Sequence, residues 1–260
     1  MPIVARNITV RRLHRTVLHD ASVEIADRDC VCIIGPNGAG KSTLVSALLG
    51  LLPLASGEVL VDEAPIRHLS RRELARRIAY VPQLQEGYMG FRVRDVIESA
   101  RYAHLDPLAG LSADDRTAME EAVDATGIGD LLDRAVDTLS GGERQKVWIA
   151  AALAQKAPAM FLDEPTNALD PAYQLELIRI MRRYHAAGGT LVVICHDLNL
   201  PLALGGRVIA LRDGRIFFDA GVDALLDTAR LRDLYGADFV IHRESSGAGV
   251  SIHLQLGDAA

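Results

Sequence analysis

Apolar residues are spaced in different ways along this chain, and each spacing predicts its own kind of element. In the first third they form short runs over residues 3–10, 17–25, 30–34 and 58–61, the last preceded by a turn at Ala55-Ser56-Gly57. Runs of this length, bounded by polar and glycine positions, predict strands. Residues 78–81 form another short strand, ended by Pro82, and residues 43–49 predict a short helix closed by Gly50. From residue 93 to 156 the spacing becomes helical, with helices expected over 93–102, 113–126 and 142–156. After Pro158 strand and helix alternate: strand 160–162, helix 171–187 and strand 190–195. A hairpin of 208–211 with 215–218 follows, turning at Asp213-Gly214.

Alternation of strand and helix predicts an α/β fold whose parallel sheet carries helices on its faces, interrupted by a mainly helical insert of about 75 residues. The expected organisation is one domain over 1–240, with a nucleotide-binding core at 1–83 and 158–240 and a helical subdomain at 84–157. The tail, 241–260, has short apolar runs around Ser245-Ser246-Gly247 that suit a small hairpin, and no chemistry is assigned to it.

Composition narrows the function classes. The 260 residues are 49% hydrophobic and 24% charged, which is ordinary for a globular protein. The net charge of −6 argues against a general nucleic-acid binder, which would show a basic face. No apolar run approaches the ~18 residues of a membrane span, and the N-terminus lacks the apolar core of a signal peptide. A cytosolic protein is expected, touching a membrane only through a partner. The three cysteines, Cys30, Cys32 and Cys195, lie in apolar strand-like runs. They read as buried structural thiols of a reducing compartment rather than as a metal or redox pair.

The chemistry begins at residues 35–42, Gly35-Pro36-Asn37-Gly38-Ala39-Gly40-Lys41-Ser42. Glycine at the first, fourth and sixth positions lets backbone N–H groups curl around a polyphosphate. Lys41 can reach the β- and γ-phosphates, and the Ser42 hydroxyl can ligate Mg²⁺. A second feature is the strand end 159–164, which delivers Asp163 and Glu164 side by side. Asp163 would hold Mg²⁺ directly or through water, and Glu164 would act as general base or water orienter. A third is His196, which directly follows a strand. Ligands of open α/β sheets gather at the carboxyl ends of strands, so His196 can face the γ-phosphate or the attacking water. The other seven histidines read as surface or satisfied core residues. The fourth is Leu139-Ser140-Gly141-Gly142-Glu143-Arg144-Gln145. Ser140 and Glu143 have capping-box spacing, and Gly141 and Gly142 leave first-turn N–H groups open to an anion. Local physics alone makes this an ordinary helix start.

Taken together these residues resemble the ATP-binding cassette (ABC) ATPase family. Residues 139–145 are similar to its signature motif, and 163–170 to its Walker B strand end running into the D-loop. Gln83 matches the Q-loop glutamine, and His196 the switch histidine. The resemblance spans about residues 3–219. It implies a P-loop NTPase core with an N-terminal antiparallel β subdomain and a helical insert. It implies ATP and Mg²⁺ as ligands, with Ser42, Gln83 and Asp163 around the metal and residues 35–42 with Thr43 on the phosphates. It also implies a head-to-tail dimer in which Ser140, Gly141, Gly142 and Asp170 of one copy close on nucleotide held by the other. In the transporters of this family the insert receives a membrane subunit, which points to the surface around residues 85–94. The family's usual aromatic residue against adenine is missing from residues 10–15. Arg12 or His14 could stack there, or the phosphates could carry the affinity.

Residues 93–104 and the sequence His196-Asp197-Leu198-Asn199 resemble more narrowly the uptake ATPases for iron–siderophore, haem and cobalamin. The expected role is therefore the ATP-hydrolysing subunit of an importer, at the cytoplasmic face of the inner membrane. It would work under membrane permeases fed by a substrate-binding protein. An exporter ATPase shares every catalytic motif, and a soluble member such as an iron–sulfur assembly ATPase is a further alternative. A DNA-repair member would need a coiled-coil insertion, and no heptad run is present.

Overall fold

The computed structural model describes residues 1–83, 90–106, 110–243 and 249–255. These divide into two compact units: Met1–Arg67 with Val192–Ala260, and His68–Leu191. The cut differs from the expected 84–157 boundary, because the strands flanking the helices group with them. Elements are numbered in chain order.

The first unit opens with an antiparallel sheet in the order β2-β1-β4-β5, built from β1 (Ile3–Arg12), β2 (Arg15–Ile25), β4 (Ser56–Val61) and β5 (Ala64–Pro65). Ile3, Ala5, Ile8 and Val10 of β1 are buried, and Ile8 pairs with Ala21 while Val10 pairs with Leu18. Irregular steps in that register keep the buried side chains on one face along the strand. The expected turn at 55–57 is shorter than read: β4 starts at Ser56, which pairs with Thr9 across such a step.

Beside it, β3 (Cys30–Ile34) runs parallel to β9 (Arg207–Arg212), and β9 is antiparallel to β10 (Arg215–Gly221). All five residues of β3 are buried, which is why its sequence is a continuous apolar run. The two-residue turn at Asp213-Gly214 has φ +50° and +73°, the pattern of a tight hairpin. The second half of β8 (Thr190–Ile194) lies next to β3. The unit also holds α1 (Lys41–Leu48), α7 (Asn199–Leu204), α8 (Thr228–Tyr235) and an antiparallel pair of β11 (Phe239–Arg243) with β12 (Val250–Leu254). The tail therefore contains paired strands; residues 244–248 and 256–260 lie outside the described residues.

The second unit pairs β6 (Ile78–Val81) in parallel with β7 (Ala159–Asp163), Ile78 opposite Ala159 and Val81 opposite Leu162. Its helices are α2 (Arg71–Ala75), α3 (Val93–Ser99), α4 (Ala113–Thr126), α5 (Gly141–Ala154) and α6 (Pro171–Ala186). The helix expected over 93–102 ends at Ser99. The chain then turns so that Arg101 can enter the interior, where its guanidinium meets Asp115 at 2.7 Å and donates to the Ala154 carbonyl at 2.8 Å. That one side chain links the start of α4 to the end of α5. Asp115 also completes a capping box with Ser112. The Ser112 hydroxyl and backbone, aided by Arg101, hold its carboxyl down at about 2.

Candidate functional site

Each unit carries one set of candidate residues. In the first, β3 feeds the loop 35–40, and α1 starts at Lys41 with Gly40 as its cap. Gly35 takes φ +141°, and a Cβ there would lie 2.1 Å from the Leu211 carbonyl oxygen of β9. Gly38 takes φ +78° with open space where its Cβ would point. The loop is thus a backbone cradle that side chains would fill or break, which is the geometry a polyphosphate needs. Lys41 is only 6% exposed, and its Nζ donates to the carbonyls of Gly35 (2.8 Å) and Pro36 (3.2 Å). The cation is held over the loop it belongs to. Ser42 is exposed on the first turn of α1, Thr43 is buried beneath it, and Asn37 is exposed.

The hairpin turn of β9 and β10 braces this loop. Gly214 donates its N–H to the Ala39 carbonyl at 3.1 Å and accepts from the His19 N–H at 2.8 Å. A cavity of about 330 Å³ opens beside Gly38, lined by Arg15, Thr16, Val17, His19, Asp213 and Gly214. No Phe, Tyr or Trp is among the described residues that line it, and Arg15 rather than Arg12 or His14 borders it. His196 is exposed two residues past β8, and Cys195 before it donates its N–H to the Ile33 carbonyl at 3.1 Å. Within this unit, His196 and the phosphate loop therefore follow neighbouring strands.

The second unit holds the carboxylates. Asp163, the last residue of β7, is 4% exposed. Burial of the Tyr80 phenol, aided by the nearby Asp163 charge, pushes that phenol up to about 12. Glu164 follows at φ +51°, a conformation that costs a non-glycine residue about 1–2 kcal/mol. Its Oε2 accepts from Gln83 Nε2 at 2.7 Å and from Asn167 Nδ2 at 3.1 Å. Two amides thus orient the carboxylate. Gln83 and Asn167 meet at Glu164, beside Asp163.

Ser140 caps α5. Its hydroxyl accepts from the Glu143 N–H at 3.3 Å, and Glu143 Oε2 accepts from the Ser140 N–H at 2.8 Å. That second bond is the main reason the Glu143 carboxyl titrates below its ordinary range. Gly141 is exposed, whereas Gly142 is buried against Tyr173, and a Cβ at 142 would come within 2.6 Å of that ring. Tyr173 lies in the first turn of α6 under the Lys146 ammonium, 4.9 Å from the ring centre, and Lys146 also pairs with Glu176. Asp170 caps α6, its Oδ1 accepting from Ala172 and Tyr173 N–H groups at 3.0 and 3.1 Å. One carboxylate oxygen of Asp170 is therefore used within its own unit.

Of the surface expected for a partner, residues 84–89 lie outside the described residues, while Phe91 is half exposed and Arg94 pairs with Asp133. No helix among the described residues is long and apolar enough to cross a membrane.

Comparison with known proteins places these residues in context. The family model for ABC transporters matches residues 18–167. The ferric enterobactin transport ATP-binding protein FepC of Escherichia coli is 37% identical over 246 residues, 94% of this chain and 90% of the relative. The hemin import ATP-binding protein HmuV of Pseudomonas putida is 36% identical over 230 residues, 86% of this chain and 89% of the relative. Among solved structures, the dimeric bacterial ABC transporter cassette MJ0796 matches with a TM-score of 0.75 at 26% identity, over 85% of this chain and 98% of that one.

Proposed function

The chain belongs to the ABC transporter family, and from that membership we propose that it is the ATP-hydrolysing subunit of an importer for a metal chelate such as an iron–siderophore, haem or cobalamin. The observation that carries the catalytic part is the pair Asp163 and Glu164 at the end of β7, with Glu164 oriented by Gln83 and Asn167. A carboxylate held by two amides keeps its lone pairs directed, which a base acting on water requires.

In this reading the loop 35–41 binds the phosphates through backbone N–H groups, and Lys41 moves from its own loop carbonyls to the β- and γ-oxygens. Glu164 takes the proton of the attacking water, and His196 contacts the departing γ-phosphate. Oxygen donors suit Mg²⁺, and Ser42, Asp163 and Gln83 offer a hydroxyl, a buried carboxylate and an amide oxygen. When bound, Mg²⁺ would supply positive charge against the phosphate oxygens. The nucleobase would sit in the cavity beside Gly38, met by Arg15 and Thr16 instead of an aromatic ring.

Two copies would close head to tail, with Ser140, Gly141 and Gly142 of one, helped by Asp170, capping ATP held by the other. The working complex would include integral permease subunits at the cytoplasmic face of the inner membrane, reached indirectly by a substrate-binding protein.

The test is reconstitution. Purified chain should release phosphate from ATP in the presence of Mg²⁺. Co-purified with its permease in vesicles, it should drive accumulation of a labelled chelate toward the side bearing the ATPase. Transport in the opposite direction would make it an exporter subunit, and failure of any permease to co-purify with the chain would favour a soluble role.

A further inference from the structure

A chain of contacts runs from the loop 166–170 through the start of α6 to the start of α5, all within the second unit. Gln174 Nε2 donates to the carbonyls of Thr166 and Leu169 at 3.3 and 3.0 Å, so the first turn of α6 holds the loop that leads into it. Asp170 closes that loop by accepting from the Tyr173 N–H at 3.1 Å. The ring of Tyr173 in turn covers Gly142, so closely that a Cβ at 142 would lie 2.6 Å from it.

Lys146 adds a second link between the two helices, one turn further along α5. Residues three or four apart on a helix share a face, so Lys146 stands beside Gly142 on α5 as Glu176 stands beside Tyr173 on α6. The Lys146 ammonium lies 4.9 Å from the centre of the Tyr173 ring and pairs with the Glu176 carboxylate. The Lys146 side chain is 15% exposed and that of Glu176 47%. The cation is largely withdrawn from water, where attraction to a ring face and to a carboxylate is stronger than at an open surface. Glu176 still ties Lys146 to α6 when the ring is removed, so both contacts are lost together only with Lys146 itself.

We propose that Lys146 is a positioning residue for ATP-driven closure of two copies. It locks the start of α5, which bears Ser140, Gly141 and Gly142, to the Asp170 loop on α6, so that both meet the partner copy as one rigid edge. The inference rests on the head-to-tail reading above. Lys146 acts through the two helix starts rather than on ATP. Closure needs both helix starts in place at once, and a chain that holds that arrangement only part of the time binds its partner more weakly in proportion. Contacts within one copy thereby strengthen association without adding to the interface.

The experiment uses the full chain carrying Glu164→Gln, in which the ATP-bound dimer accumulates. Two quantities are read: nucleotide affinity of the dilute monomer, by fluorescence titration, and the dimer dissociation constant, by sedimentation with ATP and Mg²⁺. Lys146→Met keeps the length of the stem and removes the charge. It should weaken the dimer roughly 10-fold, with monomer nucleotide affinity changed less than about 2-fold. Lys146→Arg, whose guanidinium both stacks on a ring and pairs with a carboxylate, should return the dimer to within about 3-fold of the parent. A dimer as tight in Lys146→Met as in the parent, or as weak in Lys146→Arg as in Lys146→Met, overturns the positioning role. So does a parallel loss of monomer nucleotide affinity, which would make the cluster a general brace of the fold. A Glu164→Gln parent that forms no dimer with ATP overturns the head-to-tail reading instead.

Discussion

Gln83 holds Glu164 by one oxygen: the amide Nε2 donates to Oε2 over 2.7 Å, and Asn167 donates to the same oxygen over 3.1 Å. Glu164→Gln keeps the shape and removes the base. Phosphate release should fall roughly 10²- to 10⁴-fold, the range attributed to general bases, while ATP binding is retained and a dimer accumulates on a sizing column. A variant that turns over at the parental rate would remove Glu164 from the chemistry.

Lys41 donates to two carbonyls of its own loop, so its charge is already placed at the mouth of the cradle. Charged hydrogen bonds contribute about 1.5–3 kcal/mol each. Lys41→Ala should therefore weaken nucleotide binding roughly 10- to 100-fold, read by fluorescence titration with a labelled nucleotide. Unchanged affinity would contradict the phosphate assignment.

The ring of Tyr173 occupies the space a Cβ at residue 142 would need. Gly142→Ala should displace the start of α5 at a cost of about 1–3 kcal/mol and block ATP-driven dimerisation, with monomeric nucleotide binding intact. Adding Tyr173→Ala opens that space and should restore the dimer. Ser140→Arg, which crowds the exposed cap, should block the dimer without such rescue. Normal dimerisation of either single variant would count against the head-to-tail arrangement.

Arg101 and Asp115 form an ion pair with both side chains buried. Asp115→Asn leaves the guanidinium without its anion and should cost about 3 kcal/mol, or roughly 5–10 °C in thermal midpoint. The pH dependence has a defined sign. The Asp115 carboxyl sits at about 2 in the folded chain, below its ordinary 3.8. Its stabilisation, on the order of 2 kcal/mol, is complete above pH ~4 and declines as pH falls toward 2. The Asn variant should lack that decline in acid unfolding curves.

The nucleotide motifs were readable in sequence because each is a local string whose spacing carries its geometry. Gly35 to Ser42 and the Asp163–Glu164 strand end belong to this class, and so does the Ser140–Glu143 box. The helical periodicity of α4 and the continuous apolar run of β3 were equally plain. α8 was missed although its signals are present: Asp227 accepts from the Arg230 N–H at its start, and Gly236 closes it at φ +71°. α7 is too short to show periodicity and contains Pro201. Tyr173 and Tyr235 were invisible for a different reason. Their partners lie far along the chain, 200 residues away for Tyr235 and Gly35, and a single side chain meeting one backbone group leaves no pattern.

The glycines of the phosphate loop look equivalent in the motif and are not equivalent in space. A side chain at residue 35 would collide with β9, whereas one at residue 38 would project into open space at the price of an unfavourable φ alone. Position 35 is thus answerable to the protein's own architecture, and position 38 to whatever the loop receives. Engineering that aims to silence nucleotide capture while sparing the scaffold has its handle at 38. A lesion at 35 would confound lost chemistry with lost folding.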